Sequence, residues 1–370
     1  MSTEDLIVRA LRQEAVPWPD RAPHGLDVAL VTTADTHGVT ELLATTPAIS
    51  RWPDGVRAAL NRTRRGEAAA EAIRRQDLID LLAAFHRAGI GALLMKGALM
   101  AYTLYASPWL RPRLDTDLLV SPANRTRADR VLRDLGYQPG THFSGDFVTH
   151  QNTYERPSQF EFNDVVDLHW KIANPQVFAH AFAFEELEAD AVSVPTLGAA
   201  ARGLSAPHAF MLACVHRVAH HDSSERLIWL YDIHLLAGAM DPASGDKIVR
   251  LAEAKQLRSV CAHGLSQARA RFGPSGNGAW VDSLLRAGEP GEPTAAFLRT
   301  DLKKIDVLVS DLRTLGSWRQ RIALVREHLF PPTAYMRKAY GVTNPAVLPL
   351  TYLIRAVTGV RKWFFRASDR

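Results

Sequence analysis

The chain has 370 residues, of which 47% are hydrophobic and 22% are charged. These fractions are typical of a globular protein and exclude a disordered chain, and the length suggests two compact domains. The net charge of +5 is too small to indicate nucleic acid as the partner, although it suits an anionic substrate.

Cysteine usage and the N-terminal segment bear on the cellular compartment. Cys214 and Cys261 are the two cysteines of the chain and form no CxxC motif, which predicts buried thiols in a reducing cytosol. The first twenty residues carry acidic side chains and no long apolar run, unlike a secretory signal. The apolar stretch 346–360 is interrupted by Arg355 and is too short to span a bilayer. We therefore expect a cytoplasmic protein with no transmembrane segment.

The first half of the chain shows an ordered series of predicted elements. Apolar residues at helical spacing predict a helix over 66–86, and the apolar run 90–95 predicts a buried strand. Helix-forming composition follows over 98–105, and Pro108 ends that helix. A second strand is predicted over 114–120 and a helix from Ser121 to Gly136, because serine and proline favour a helix start and glycine a helix end.

The rest of the chain divides into an irregular stretch, a strand and a helical half. Aromatic residues between 137 and 162 suggest short antiparallel strands, and 165–172 alternates so that Asp167 and His169 share one face. Helices are predicted over 205–221, 226–240 and 247–272. We place an N-terminal helical segment at 1–75, a core at 76–195 and a helical domain at 196–370.

Three aspartates form the main candidate site. Residues of one strand alternate between faces, so Asp115 and Asp117 are expected to project from one side, about 7 Å apart at the backbone. Asp167, on a later strand, is the natural third ligand for a pair of divalent ions about 4 Å apart. The alternative is that these are exposed strand residues. A catalytic metal site is favoured because acids are rare in apolar strands, yet two occur on one predicted strand and a third occurs on a later strand.

Five segments together resemble a known family. They read LLMKGALMAYTLY, LRPRLDTDLLV, a helix ending in DLGY, VVDLHWKI, and HRVAHHDSSERLIWLYDIHLL. In order and spacing they resemble bacterial uncharacterised nucleotidyltransferases of the DNA polymerase β superfamily. The resemblance covers about residues 78–237. It implies an α+β fold with a polymerase β-type core, in which a mixed sheet is flanked by helices, followed by a mainly helical C-terminal domain, and it implies that DxD and a later Asp bind magnesium.

The nucleotide-binding residues are predicted around this metal site. Many members of the superfamily carry a serine after the first strand, whereas Gly97 is followed here by Ala98. The N–H groups of Gly97 and Ala98 at a helix start could still bind phosphate, and Lys96 could add a positive charge. Arg111 and Arg113 could grip triphosphate oxygens, or could be solvated loop residues.

Two further groups of residues extend the candidate site. His169 could orient Asp167 or be a structural histidine, and Lys171 would share its face if the strand continued. In the helical half, His216 and His220 lie four residues apart and could bind zinc, but histidines at this spacing more often line a pocket or bond between helices. We list His216, Arg226 and Asp232 as candidates for the rim of the nucleotide or acceptor site.

These observations predict an enzyme. The expected reaction moves a nucleoside monophosphate from an NTP to an acceptor hydroxyl with Mg²⁺ or Mn²⁺, and releases pyrophosphate. A small molecule or peptide is favoured as acceptor, and nucleic acid is not. The alternative is a non-catalytic binding or scaffold protein. The basic and aromatic C-terminal segment could touch a membrane surface or nucleic acid, or could form a helix docked on its own domain.

Overall fold

A computed structural model describes residues 2–140, 145–158, 163–219, 225–286 and 291–364. One mixed sheet is flanked by helices in these ranges, which confirms the predicted α+β class. The strands are β1 (Ala92–Leu94), β2 (Thr116–Val120), β3 (Gln138–Pro139), β4 (Gln151–Pro157), β5 (Asn163–His169), β6 (Val192–Ser193) and β7 (Arg202–Gly203).

The order of the strands places the two aspartate strands side by side. Across the described residues the order is β3-β4-β5-β2-β1-β7-β6. Strand β2 is parallel to β5 and antiparallel to β1, while β4 is antiparallel to β5. Every residue of β1 and β2 is buried, in keeping with apolar runs that lie inside a sheet covered on both faces. The antiparallel strands β3 and β4 confirm the prediction for the irregular stretch, although Phe143, Phe160 and Phe162 lie outside the described residues.

In the described ranges, four α-helices precede the sheet and four more are interleaved with its strands. The first helices pack on one another and on the sheet through apolar side chains such as Leu60, Leu78 and Phe85. Their bounds are α1 (Thr3–Leu11), α2 (Leu26–Thr36), α3 (Thr40–Leu43), α4 (Asp54–Arg87), α5 (Lys96–Thr103), α6 (Arg125–Asp134), α7 (Gln176–Ala179) and α8 (Phe184–Ala189).

After β7 the described chain is helical. Cys214 and Cys261 are free, buried thiols between two of these helices, as predicted. None of the helices in the described ranges is long and apolar enough to cross a membrane. The helices are α9 (Ala206–Ala219), α10 (Leu227–Gly238), α11 (Pro242–Ala254), α12 (Arg258–Phe272), α13 (Ala279–Leu285), α14 (Lys304–Thr314), α15 (Trp318–Leu329), α16 (Thr333–Ala339) and α17 (Leu348–Phe364).

Both predicted domain boundaries fall within continuous structure. Helix α4 runs for 34 residues across the boundary at 75/76, and it begins at Asp54, before the predicted start at residue 66. The sheet continues across 195/196, because β7 pairs with β1. The division into three parts therefore stays a prediction.

Asp311 connects the C-terminal helices to the segment that follows β5. Its carboxylate accepts a hydrogen bond of 2.7 Å from the Gln176 N–H, and the side chain is almost fully buried. Burial raises the pKa of Asp311 to about 7, although the bond from Gln176 opposes the shift. Between about pH 4 and pH 7 the folded protein therefore holds a proton that the unfolded chain has lost, so Asp311 makes stability fall as pH rises.

We predict that Asp311→Asn removes this fall of folding stability with rising pH. The variant should match the wild type near pH 4 and become more stable relative to it by up to about 1.4 kcal/mol for each pH unit toward pH 7. Urea unfolding at pH 5 and pH 8 measures the difference. Asp20→Asn, at an exposed position, is the control. An advantage of Asp311→Asn that did not change between the two pH values would contradict the prediction.

Candidate active site

The parallel pairing of β2 and β5 brings the central acidic residues together. Asp117 lies opposite Asp167, and Leu119 lies opposite His169. Since side chains alternate along a strand, Asp117, Asp167 and His169 all project from the same face. One ligand atom from each of the three lies within 4.8 Å of the others. This is the spacing that a single metal ion can bridge.

Hydrogen bonds hold each of these carboxylates in place. Asp167 accepts bonds from Gln151 Nε2 at 2.7 Å and Thr153 Oγ1 at 2.5 Å, both on β4. The ring of His169 lies with Nε2 2.8 Å from Asp117 Oδ1. Burial raises the pKa of Asp167, while burial and the nearby Lys96 lower the pKa of His169 well below its ordinary value. The imidazole is therefore neutral at physiological pH, and the cluster is a compact set of oxygen and nitrogen donors.

Lys96 reaches this cluster from the end of β1. Its Nζ donates to Asp117 Oδ1 at 2.6 Å and lies 3.4 Å from His169 Nε2. The backbone of Lys96 has φ +51°, a left-handed conformation that costs a non-glycine residue energy. Such strained residues are concentrated at functional sites. The strained turn directs the ammonium group toward the carboxylates and starts α5 two residues earlier than predicted.

Asp115 stands apart from the compact cluster. The prediction of a strand over 114–120 was two residues too long at its start, because β2 begins at Thr116. Asp115 therefore lies in the bend before β2, and its position is not set by the alternation of that strand. It lines the same cleft as Asp117, and burial together with the charge of Asp117 raises the pKa of Asp115 to about 6. Asp115 and Asp117 therefore share the cleft, and their charges interact.

Arg111 and Asp232 form a buried ion pair above the start of α5. Arg111 Nε lies 3.0 Å from both carboxylate oxygens of Asp232, and Nη2 donates to Oδ2 at 2.8 Å. The Tyr105 hydroxyl donates to the same carboxylate at 2.7 Å. A Cβ at Gly97 would lie 3.5 Å from Arg111 Nη1, an ordinary contact distance, so the guanidinium lies beside the start of α5. The pair connects the segment before β2 to α10.

Arg113 has a different buried partner. Its Nη2 donates to Glu71 Oε1 on α4 at 3.1 Å, and Nη1 donates to the Thr116 hydroxyl. Tyr102 donates to the same Glu71 oxygen at 2.6 Å. These contacts pin the segment before β2 between α4 and α5. The predicted contact of Arg113 with phosphate stays a prediction.

Asp117 connects the cluster to a cleft of about 680 Å³ that three parts of the chain surround, while Asp167 and His169 are not among the residues that line it. Ligand sites occur preferentially in clefts of this size between domains. The lining includes predicted residues from the core and from the helical half: Lys96, Gly97, Arg111, Arg113, Asp115, Asp117, His216, Arg226 and Asp232.

Several predicted residues lie at the edge of the cleft or away from it. Strand β5 ends at His169, and the Lys171 ammonium lies 3.1 Å from the ring nitrogens of His180 instead of continuing the active face. Ala98 is fully buried in α5. His216 packs edge-on against Trp229, with ring centroids 5.5 Å apart. His220, the second residue of the suggested zinc pair, lies outside the described residues.

Arg226 is a cation that lines the cleft and lies against the segment between α2 and α3. Its Nε donates to the Thr36 carbonyl at 2.9 Å, and no carboxylate within the described ranges forms an ion pair with it. Burial and the neighbouring Arg111 lower the pKa of Arg226. An anion bound beside it would relieve both effects, so Arg226 is suited to bind phosphate.

The N-terminal helices contribute acidic residues that the sequence analysis missed. Glu41 on α3 is 4% exposed and lines the cleft, and burial raises its pKa to about 7. Glu67 on α4 pairs with Arg74 at 2.8 Å. Gln151 and Thr153 were missed as well, because the irregular stretch gave no register against β5. Glu67 lies in the charge-rich helix α4 and Glu41 in the four-residue helix α3, and neither position has a local pattern that marks it as a cleft residue.

Comparison with known proteins agrees with this geometry. A family model described as uncharacterised nucleotidyltransferase matches residues 27–273, two thirds of the chain. The match includes α2 to α12 and therefore all the residues named at the cleft. No curated protein matches the chain.

Proposed function

Because the chain belongs to this family of uncharacterised nucleotidyltransferases, we propose that it transfers a nucleoside monophosphate from an NTP to an acceptor hydroxyl and releases pyrophosphate. The observation that carries the proposal is the convergence of Asp117, Asp167 and His169, of which Asp117 lines the cleft together with Asp115. We further propose that the sheet is a polymerase β-type core, supported by a DxD motif at the start of β2 and a third aspartate on its parallel neighbour β5.

The donor set fits a divalent cation. Carboxylate oxygens are the ligands that Mg²⁺ and Mn²⁺ prefer, and the imidazole of His169 makes the set better suited to Mn²⁺ than oxygen donors alone would be. Asp115, Asp117 and Asp167 would hold the metal. A bound ion would supply charge neutralisation for the triphosphate and for the attacking oxygen. Gln151 and Thr153 orient Asp167 by donating to it.

Residues around the carboxylates have the chemistry to bind the triphosphate. The first N–H groups of α5, at Gly97 and Ala98, have no partner within the helix and attract anions. Lys96, Arg111 and Arg226 all line the cleft and bring positive charge to it. Asp232 and His216 lie near these cations, where they position Arg111 and Trp229. The NTP phosphates would bind across this side.

For the acceptor we propose a small molecule or a peptide. The cleft is walled by α2, α3 and α4, by the core and by α9 and α10, which leaves a bounded volume instead of a long basic groove. Nucleic-acid sites are marked by stripes of Lys and Arg, whereas Asp35, Glu41 and Glu67 line this wall. The negative charge of this wall would repel the phosphate backbone of a nucleic acid.

A non-catalytic scaffold is the second candidate, and one contact favours it. Lys96 Nζ forms an ion pair of 2.6 Å with Asp117 and so neutralises a proposed metal ligand within the protein. Isothermal titration with Mg²⁺ or Mn²⁺ and then with each NTP separates the two functions. The enzyme should bind an NTP only with the metal, and radiolabelled NTP should then label a fraction of cell extract. Metal-independent binding, or none, would support the scaffold.

We predict that Arg226→Gln raises the KM for NTP by about tenfold or more while kcat changes little, because a charge-assisted contact with phosphate is lost. Arg226→Lys should recover part of the affinity, since it keeps the charge. Steady-state kinetics with Arg51→Gln, an exposed arginine outside the cleft, provides the control. An unchanged KM in Arg226→Gln would assign Arg226 a structural role only.

A further inference from the structure

The C-terminal helices expose an apolar stripe to solvent. On α15, Trp318, Ile322, Val325 and Leu329 are 78%, 60%, 36% and 49% exposed. Their spacing of four, three and four residues puts them on one face of the helix. The buried Leu324 lies on the other side of the helix, so α15 docks by one face and presents apolar residues on the opposite one. A soluble helix normally has the reverse arrangement.

The stripe is part of a larger apolar surface. It forms one side of a groove of about 680 Å³, whose other side is Val309 and Leu312 of α14. Phe330, 62% exposed, follows α15 and lies with its ring 6.0 Å from that of Tyr352 on α17. Helix α17 exposes a further apolar face through Leu350, Leu353 and Ile354. Contiguous exposed apolar patches of this kind mark interaction sites.

Positive charge surrounds this surface. Arg313, Arg321 and Arg326 line the groove, and Arg319 and Arg326 lie on one side of the α15 stripe with Arg321 on the other. Residues 304–370 contain 12 of the 44 Lys and Arg but only 4 of the 39 Asp and Glu. This segment therefore carries +8, while the remainder of the chain carries −3. Among the described side chains, Arg313, Arg321 and Arg326 bring positive charge to the groove beside the exposed apolar residues.

These properties distinguish between possible partners. A second copy docked on the same face would bring its own Arg313, Arg321 and Arg326 against these arginines, so self-association is opposed by charge. Nucleic-acid interfaces are polar, and they give no role to exposed Ile, Leu and Phe in such number. Helices that lie in a membrane interface combine Trp, Phe and Leu on one face with Arg and Lys beside them. We propose that α14, α15 and α17 form a surface that docks on an anionic lipid bilayer.

Vesicle cosedimentation of the full chain tests the proposal. Binding to vesicles of phosphatidylglycerol and phosphatidylcholine should be strong at low salt, weaker at high salt, and absent with phosphatidylcholine alone. Trp318→Ser combined with Ile322→Ser should lower binding about tenfold or more, since both residues are already exposed and their loss leaves the fold intact. Arg313→Gln with Arg326→Gln should lower binding about fivefold for each arginine.

Matched variants elsewhere on the surface provide the controls. Val28→Ser removes an apolar residue that is 67% exposed, and Arg51→Gln with Arg130→Gln removes two exposed charges. Both should bind vesicles like the wild type. Equal binding to both kinds of vesicle, or unchanged binding by the groove variants, would overturn the proposal. So would a dimer in light scattering that Trp318→Ser with Ile322→Ser dissociates, or retention of RNA that the arginine variants abolish.

Discussion

Asp117→Asn is expected to lower metal-dependent nucleotidyl transfer by about a thousandfold or more, because metal-bound carboxylates stabilise charge that develops in the transition state. Asp117 is the central member of the cluster: it lies opposite Asp167, beside His169, and within 2.6 Å of Lys96. Initial rates with saturating NTP and Mg²⁺ measure the effect. Asp167→Asn and Asp115→Asn should also abolish turnover, and a chelator should do the same to the wild type.

The matched control is Asp164→Asn. Asp164 is as buried as Asp117 and lies on the neighbouring strand β5, but it does not line the cleft, and it accepts a hydrogen bond from Tyr137. The control should lose stability and keep its turnover, whereas Asp117→Asn should keep a native circular dichroism spectrum. If Asp117→Asn retained full activity, the metal site and the proposed reaction would both have to be abandoned.

The second large effect is expected at Asp232. Asp232→Ala leaves the buried Arg111 guanidinium without its partner, and removing one member of a buried pair costs about 3–5 kcal/mol of folding free energy. Urea unfolding measures this loss. The double variant Arg111→Met with Asp232→Leu should recover most of the stability, because no unpaired charge remains.

Measuring the activity of the double variant separates the contribution of the Arg111–Asp232 pair to stability from its contribution to the reaction at the cleft. The double variant should fold and still transfer poorly, because Arg111 lines the cleft beside Gly97. A double variant that is both stable and fully active would show that the pair only connects the core to α10. From sequence alone Asp232 was a candidate for contact with a substrate. Its carboxylate is engaged by Arg111 and Tyr105, so its expected influence on a substrate is indirect.

Local patterns account for what the sequence could predict. Asp117, Asp167 and His169 were identified because strand alternation and the DxD motif are properties of a few consecutive residues. The partners of these residues depend on contacts between distant segments: Thr153 faces Asp167 through the β4–β5 register, and Glu71 meets Arg113 from 42 residues away. No local signal specifies such pairings.

The extent of α4 was underestimated for a similar reason. Polar residues at 61–65 interrupt the apolar periodicity, so the pattern alone suggested a start at residue 66. The apolar residues Val56 and Leu60 are buried by packing against the other N-terminal helices and hold that part of the helix in place. Tertiary contacts decide helix boundaries where periodicity is weak.

Because α4 is continuous, the chain cannot be divided at residue 76 without cutting through this helix. A helix of 34 residues is about 50 Å long, and this one carries Thr63, Glu67 and Ala70 along the cleft before delivering the chain to β1. The sheet and its candidate site therefore do not form a self-contained unit that begins at residue 76. A fragment cut at residue 76 would lose a wall of the pocket together with the scaffold on which Arg113 is anchored. Grafting the activity into another protein would require transplanting α2 to α4 with the sheet.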